Sequence, residues 1–161
     1  MTAVPRWLTR ASRVANLIYD RHLGWLLGHR ILRLTHVGRH SGRHYRTVLE
    51  VVGRDRSGPE FFVVSGFGPR ADWLRNLDAS GPATVTVGKR SFPADHRRLG
   101  GPEAYAVFVG YERRNRWIRP VVHRALSWLV GWPYGGSGAD RRRLVEQLPV
   151  IGLRPQTGPR P

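Results

Sequence analysis

Glycine punctuation is the strongest constraint on this chain. Between residues 30 and 99 the apolar runs are short, as at 47–52 and 61–64, and Gly38, Gly42, Gly58, Gly66, Gly68 and Gly88 separate them. Runs of this length rich in Val, Thr and Phe fit strands, whereas a packed helix needs ten or more residues. The segment Arg30–Val37 predicts a strand with Ile31, Leu32 and Leu34 toward the core, followed by a tight turn between Gly38 and Gly42. Arg43–Val52 predicts a second strand, Arg54–Gly58 a turn, and Glu60–Ser65 a third strand, ended by Gly66, Gly68 and Pro69. Arg70–Ala79 fits a short helix with Trp73, Leu74 and Leu77 on one face. Ala83–Val87, the Gly88-Lys89 turn and Arg90–Leu99 complete a hairpin. Five or six short strands without regularly alternating long helices imply a mainly β, α+β domain built on a small antiparallel barrel. They exclude a doubly wound parallel sheet.

Helical patterns flank this region. Trp7, Ala11, Val14, Ala15 and Ile18 share one face of a predicted helix over residues 5–27, with Arg6, Arg10 and Arg13 on the other. Such a basic amphipathic helix either packs on its own domain or lies on an anionic bilayer. Pro102–Asn115 and Val121–Val130 predict two more helices, 131–138 is the one plausible linker, Ala139–Gln147 is ambiguous, and Leu148–Leu153 fits a last strand. The expected organisation is an N-terminal helix over 1–28, one domain over 29–155 and a frayed tail over 156–161.

Charge narrows the partners. The 161 residues carry 27 Lys and Arg against 11 Asp and Glu, a net +16, and Lys89 is the single lysine. Anionic partners follow: nucleic acid, an acidic membrane surface, or a polyanionic small molecule. Six Trp, five Tyr and five Phe supply enough apolar surface to fold. The absence of cysteine excludes disulfides, thiolate nucleophiles and Cys-ligated metals. No run approaches the roughly 20 apolar residues of a membrane span, and arginines at 6, 10, 13 and 21 break any signal-peptide core. A cytoplasmic location is expected, with a peripheral position at the inner face of the cell membrane if the N-terminal helix binds lipid.

Two segments carry chemistry. Gly38–Thr47 combines two glycines, arginines and hydroxyls in one turn, the backbone amides and guanidinium forks that a phosphate needs. His36, His40 and His44 would make a metal site only on a helix, which Gly38 and Gly42 oppose, so no metal is expected. Ser41 lies in G-x-x-S-G and is not a nucleophile elbow. The second segment, Ser65–Leu77, runs from a strand end through a glycine loop into a helix N-terminus, where amides favour anions and glycine admits a planar ring.

The ordered set G-R-H-S-G-R-H-Y-R-T-V-L (38–49), F-F-V-V-S-G-F-G-P-R-A-D-W-L-R-N-L (61–77) and A-T-V-T-V-G-K-R (83–90) resembles the deazaflavin (coenzyme F-420)-dependent nitroreductase and quinone reductase family, with L-P-V-I-G-L (148–153) as a weaker echo. The resemblance implies a split β-barrel of the flavin-binding type, reduced F-420 as cofactor with FMN as the alternative, and hydride transfer to a quinone, nitro or similar planar acceptor. It places the phosphate and acidic tail at Arg39, His40, Ser41 and Arg46, and the ring at Ser65, Gly66, Phe67, Gly68, Trp73 and Asn76. His40 stands where the family commonly has Lys or Arg, and Arg70 is the candidate for the missing cation. Tyr45, Tyr111 and Tyr134 are the candidates for a proton donor. The implied partners are a small-molecule hydride acceptor and, by analogy, a second copy in a homodimer, with no specific nucleic acid. The alternatives are a non-catalytic carrier with the same barrel and a basic nucleic-acid binder.

Overall fold

The computed structural model describes residues 30–156. The predicted helix over 5–27 lies outside the described residues, as do residues 157–161 of the expected tail. Six strands form a closed antiparallel barrel: β1 (Ile31–Val37), β2 (His44–Arg54), β3 (Phe61–Val64), β4 (Ala83–Val87), β5 (Arg90–Arg98) and β6 (Val150–Pro155). Their order around the barrel is β1-β2-β3-β6-β5-β4, with β4 pairing back onto β1. Closure removes the free edges that would otherwise template pairing with other chains. This is the mainly β antiparallel barrel with flanking helices that the glycine-bounded runs predicted, of the split-barrel type that the resemblance implied.

Alternation builds the interior. In β1, Leu32, Leu34 and His36 face inward and are buried, with partly exposed residues between them. Leu32, Leu34, Val63, Val85, Ile151 and Leu153 are fully buried in the barrel core, each contributing about 1.5–3 kcal/mol. The helix α1 (Asp72–Ser80) adds Trp73, Leu74 and Leu77 to the same core. It follows a 3-10 turn, Gly68–Arg70, whose proline delays the helix start predicted at residue 70.

A second core lies outside the barrel. The helices α2 (Gly101–Arg114), α3 (Arg119–Val130) and α4 (Gly138–Gln147) bury Phe108, Leu126 and Leu144 against Val52, Phe62 and Val150. Strand β3 is therefore covered on both faces, Phe61 and Val63 inside and Phe62 outside. The pairing of β2 with β3 slips between Val51 and Gly53. At Gly53 a Cβ would stand 3.0 Å from the Phe62 ring and 3.1 Å from Val107, so any side chain at this irregularity would press on both neighbours.

The 131–138 segment is not a linker. Tyr134 is buried in the outer core, and the Trp132 indole donates to Gln147 Oε1 at 2.9 Å. These contacts tie the segment down between α3 and α4.

One buried carboxylate braces the far side of the barrel. Glu60 accepts from Arg97 at 2.6 and 3.0 Å and from Arg154 at 3.0 Å. Gly152 leaves room for it, since a Cβ there would come 2.1 Å from Glu60 Oε1. A buried charge held by two guanidinium groups escapes most of its desolvation cost.

Candidate functional site

At one end of the barrel the β1–β2 turn faces the loop leading into α1. The turn closes through Gly38 N–H to Arg43 O (2.8 Å) and Gly42 N–H to Gly38 O (2.9 Å). Gly42 sits at φ +65°, which few other residues adopt. Gly38 has a different reason: a Cβ would lie 2.5 Å from the Tyr45 ring and 2.7 Å from Ser41 Oγ.

Arg39 latches the turn to α1. Its backbone N–H and its Nη1 both donate to Asn76 Oδ1, at 3.1 and 2.9 Å, and its Nη2 donates to Asp72 Oδ1 at 3.0 Å. The amide Nδ2 of Asn76 donates to His36 Nδ1 at 3.1 Å. This network assigns the remaining proton of His36 to Nε2, which faces Thr47 Oγ1 at 3.2 Å. Burial holds the His36 pKa below its ordinary value, and the Asp72 charge opposes that only in part. A neutral imidazole thus anchors a chain running from Thr47 through Asn76 and Arg39 to Asp72.

Between the turn and the loop lies a cavity of about 640 Å³, within the range of cofactor sites. The turn side contributes Arg39, His40, Ser41, Tyr45, Arg46 and Thr47, and the loop and helix contribute Phe67, Arg70, Ala71, Asp72, Trp73 and Asn76. Three guanidinium groups meet one carboxylate, so the cavity is electropositive. Tyr45 and Phe67 expose their rings, at 46% and 54%, while Trp73 is buried beneath. The Tyr45 hydroxyl lies 3.2 Å from Ser41 Oγ. Arg39 Nε is buried without a hydrogen-bond partner. A planar, anionic ligand would find cations at the turn and aromatic surfaces at the loop.

The family described as F-420H(2)-dependent quinone reductase matches residues 11–124. The chain belongs to this family. As its name implies, the family uses reduced coenzyme F-420, which makes the chain an oxidoreductase by membership. No curated protein matches the chain. Among solved structures it is similar to an F-420-H2 dependent reductase, with 19% identity over 78% of this chain and 94% of that one and a TM-score of 0.45. A pyridoxamine 5'-phosphate oxidase-related, FMN-binding protein of Nostoc punctiforme shows 14% identity over 95% and 82%, with a TM-score of 0.48. A haem-binding protein of Mycobacterium smegmatis shows 13% over 85% and 50%, with a TM-score of 0.48.

In this reductase-family chain the cavity gathers eight of the residues singled out from sequence: Arg39, His40, Ser41, Arg46, Phe67, Arg70, Trp73 and Asn76. It does not gather Ser65, Gly66 or Gly68. Ser65 is fully buried and its hydroxyl donates to Gly68 O at 2.6 Å, while Gly68 takes φ +70° and Gly66 passes close to Leu129. These residues shape the loop without lining the cavity. Among the described tyrosines, Tyr45 alone lines it. Tyr111 donates to Glu50 Oε1 at 3.0 Å and Tyr134 to Glu112 Oε1 at 2.6 Å, both away from the cavity. Burial first, and then those carboxylates, push both phenols above their ordinary pKa.

His36, Thr47, Ala71 and Asp72 also line the cavity and are absent from the residues proposed from sequence. The inward alternation of Leu32, Leu34 and His36 was the available signal for His36. Asp72 carried only the acidic first-turn signal of a helix.

Proposed function

We propose that the protein binds reduced coenzyme F-420 in this cavity and transfers its hydride to a quinone or a similar planar acceptor such as a nitroarene. The observation that carries the reading is the cavity itself, with an arginine-bearing glycine turn on one wall and an aromatic loop on the other. When bound, the reduced deazaflavin supplies the hydride. The chain's task is to bind, orient and exclude water. Arg46 and Arg70, exposed at the mouth, face the phosphate and acidic tail, joined by the turn's hydroxyl at Ser41 and by His40. Arg39, whose Nη1 and Nη2 donate to Asn76 and Asp72, would fix the turn against α1 and keep its remaining guanidinium hydrogens for the anionic ligand. Phe67, Tyr45 and Trp73 offer apolar surfaces for the ring and the acceptor, which supplies proximity. Tyr45, half exposed and within reach of Ser41, holds the one phenolic proton at the cavity.

The test is a fluorescence titration with F-420 and with FMN, followed by anaerobic turnover with quinone and nitroaromatic panels. Arg46→Ala should weaken F-420 binding by about 1.5–3 kcal/mol, the value of a charge-assisted hydrogen bond. Tighter binding of FMN than of F-420, or unchanged affinity in Arg46→Ala and Arg70→Ala together, would overturn the assignment. Binding of F-420 without oxidation by any acceptor would make the protein a carrier.

A further inference from the structure

The corner where α2 turns into α3 has no part in the cavity, yet it carries two features that point to one partner. The first is an unburied apolar stripe. Trp117 is 84% exposed, Val121 66%, and Ile118 and Trp128 49% each. Ile118, just before α3, and Val121, Ala125 and Trp128 on it are spaced three, four and three residues apart, along a side of the helix away from its buried Val122, Leu126 and Val130. The second feature is a separate pocket of about 270 Å³, lined by Glu112, Arg113, Arg116, Arg119, His123 and Arg141 among others. Its one carboxylate, Glu112, is already held by Arg141 Nε at 2.5 Å and by Tyr134. His123 Nε2 is buried there without a hydrogen-bond partner, 3.4 Å from Glu112 Oε1. The Arg113 and Arg119 side chains are exposed and make no hydrogen bond or ion pair among the described residues.

Arg116 and Arg119 bracket Trp117 and Ile118, so the cationic pocket and the apolar knob adjoin. We propose that this corner docks on an anionic phospholipid bilayer, with a lipid phosphate in the arginine pocket and Trp117, Ile118 and Val121 in the interface. Indole rings favour that boundary, and arginines beside them favour acidic headgroups. Charge complementarity selects this occupant. A second copy brings another +16, which opposes association of two copies through this basic corner. Nucleic acid would use the arginines and indoles but gains little from Ile118 and Val121, since its contacts are stacking and phosphate pairing. No described helix is long and apolar enough to cross a membrane, so the contact is peripheral. The proposal does not rest on the hydride-transfer reading.

The experiment is cosedimentation of the full chain with phosphatidylcholine vesicles, with and without phosphatidylglycerol. Two double variants are compared with the parent, Arg116→Gln with Arg119→Gln and Trp117→Ser with Val121→Ser. All four positions are solvent-exposed, and thermal unfolding confirms that each variant folds. The parent should bind the phosphatidylglycerol vesicles, and each variant should lose about tenfold or more in partitioning. Unchanged partitioning in both variants overturns the proposal, as does equal binding to phosphatidylcholine alone. A third variant, Arg10→Gln with Arg13→Gln, tests the N-terminal segment: loss there with full binding in the corner variants assigns the bilayer to residues 1–28 instead. A short DNA duplex is titrated in parallel, and loss of DNA binding alone in the corner variants would replace the bilayer with nucleic acid.

Discussion

His36 shows how one position joins the barrel to the cavity. Its inward place on β1 buries it, and burial lowers its pKa below the ordinary 6.5. In the neutral form Nδ1 accepts from Asn76, and a protonated ring would instead turn a donor toward that amide. Below 6.5 the unfolded chain takes up a proton that the folded chain resists, so stability from this group is complete above that value and is lost as pH falls through it. The melting temperature should therefore fall on acidification, and His36→Gln should reduce that fall relative to the parent. A parallel pH dependence in both proteins would assign the loss to other groups. The sequence reading placed Ile31, Leu32 and Leu34 toward the core, whereas strand alternation buries Leu32, Leu34 and His36 and leaves Ile31 partly exposed; the partner of His36 was not legible at all. Asn76 lies 40 residues away in the chain, and only the packing of α1 against the barrel end brings it to the imidazole. Arg39 teaches the same lesson in reverse. Its residue type suggested a phosphate ligand, and only the fold shows that it also latches α1, because Asp72 and Asn76 stand one helical turn apart beside the turn.

At the scale of elements, strands were readable and α4 was not. Strands here are bounded by glycines at their turns, and their predicted ends lie within two residues of the observed ones. The α4 sequence, G-A-D-R-R-R-L-V-E-Q, buries only Leu144 and carries a run of three arginines, so its periodicity is faint. Its start was nonetheless signalled. Ser137 accepts from Asp140 N at 3.0 Å and Asp140 accepts from Ser137 N at 3.1 Å, a reciprocal cap. Ser137→Ala should destabilise the protein by about 1 kcal/mol, measured by denaturant unfolding, whereas Ser137→Asp should lose much less. Equal losses in the two variants would deny the cap its role.

For the whole molecule, the 161 residues carry a net +16, and the described residues show two arginine-rich surfaces, at the barrel end and at the α2–α3 corner. A charge of this size binds polyanions without reading them. Duplex DNA should bind regardless of sequence, with affinity on the order of 10⁻⁴–10⁻⁶ M at physiological salt and a steep loss as salt rises. Electrophoretic shifts on two unrelated duplexes across a salt series check this. A preference between them that survives high salt would identify a nucleic-acid function in place of nonspecific charge.

The amino-acid pattern alone determined the class of the fold, the glycine turns, the basic character of the turn and the family resemblance. Each depends on residues close together in the chain, where backbone preference and alternation act directly. Closure of the barrel, the latch from Arg39 to α1, the exclusion of Tyr111 and Tyr134 from the cavity and the exposed corner at Trp117 were decided by tertiary structure. They depend on which distant segments meet, and burial, not local propensity, selects among the many meetings one sequence allows.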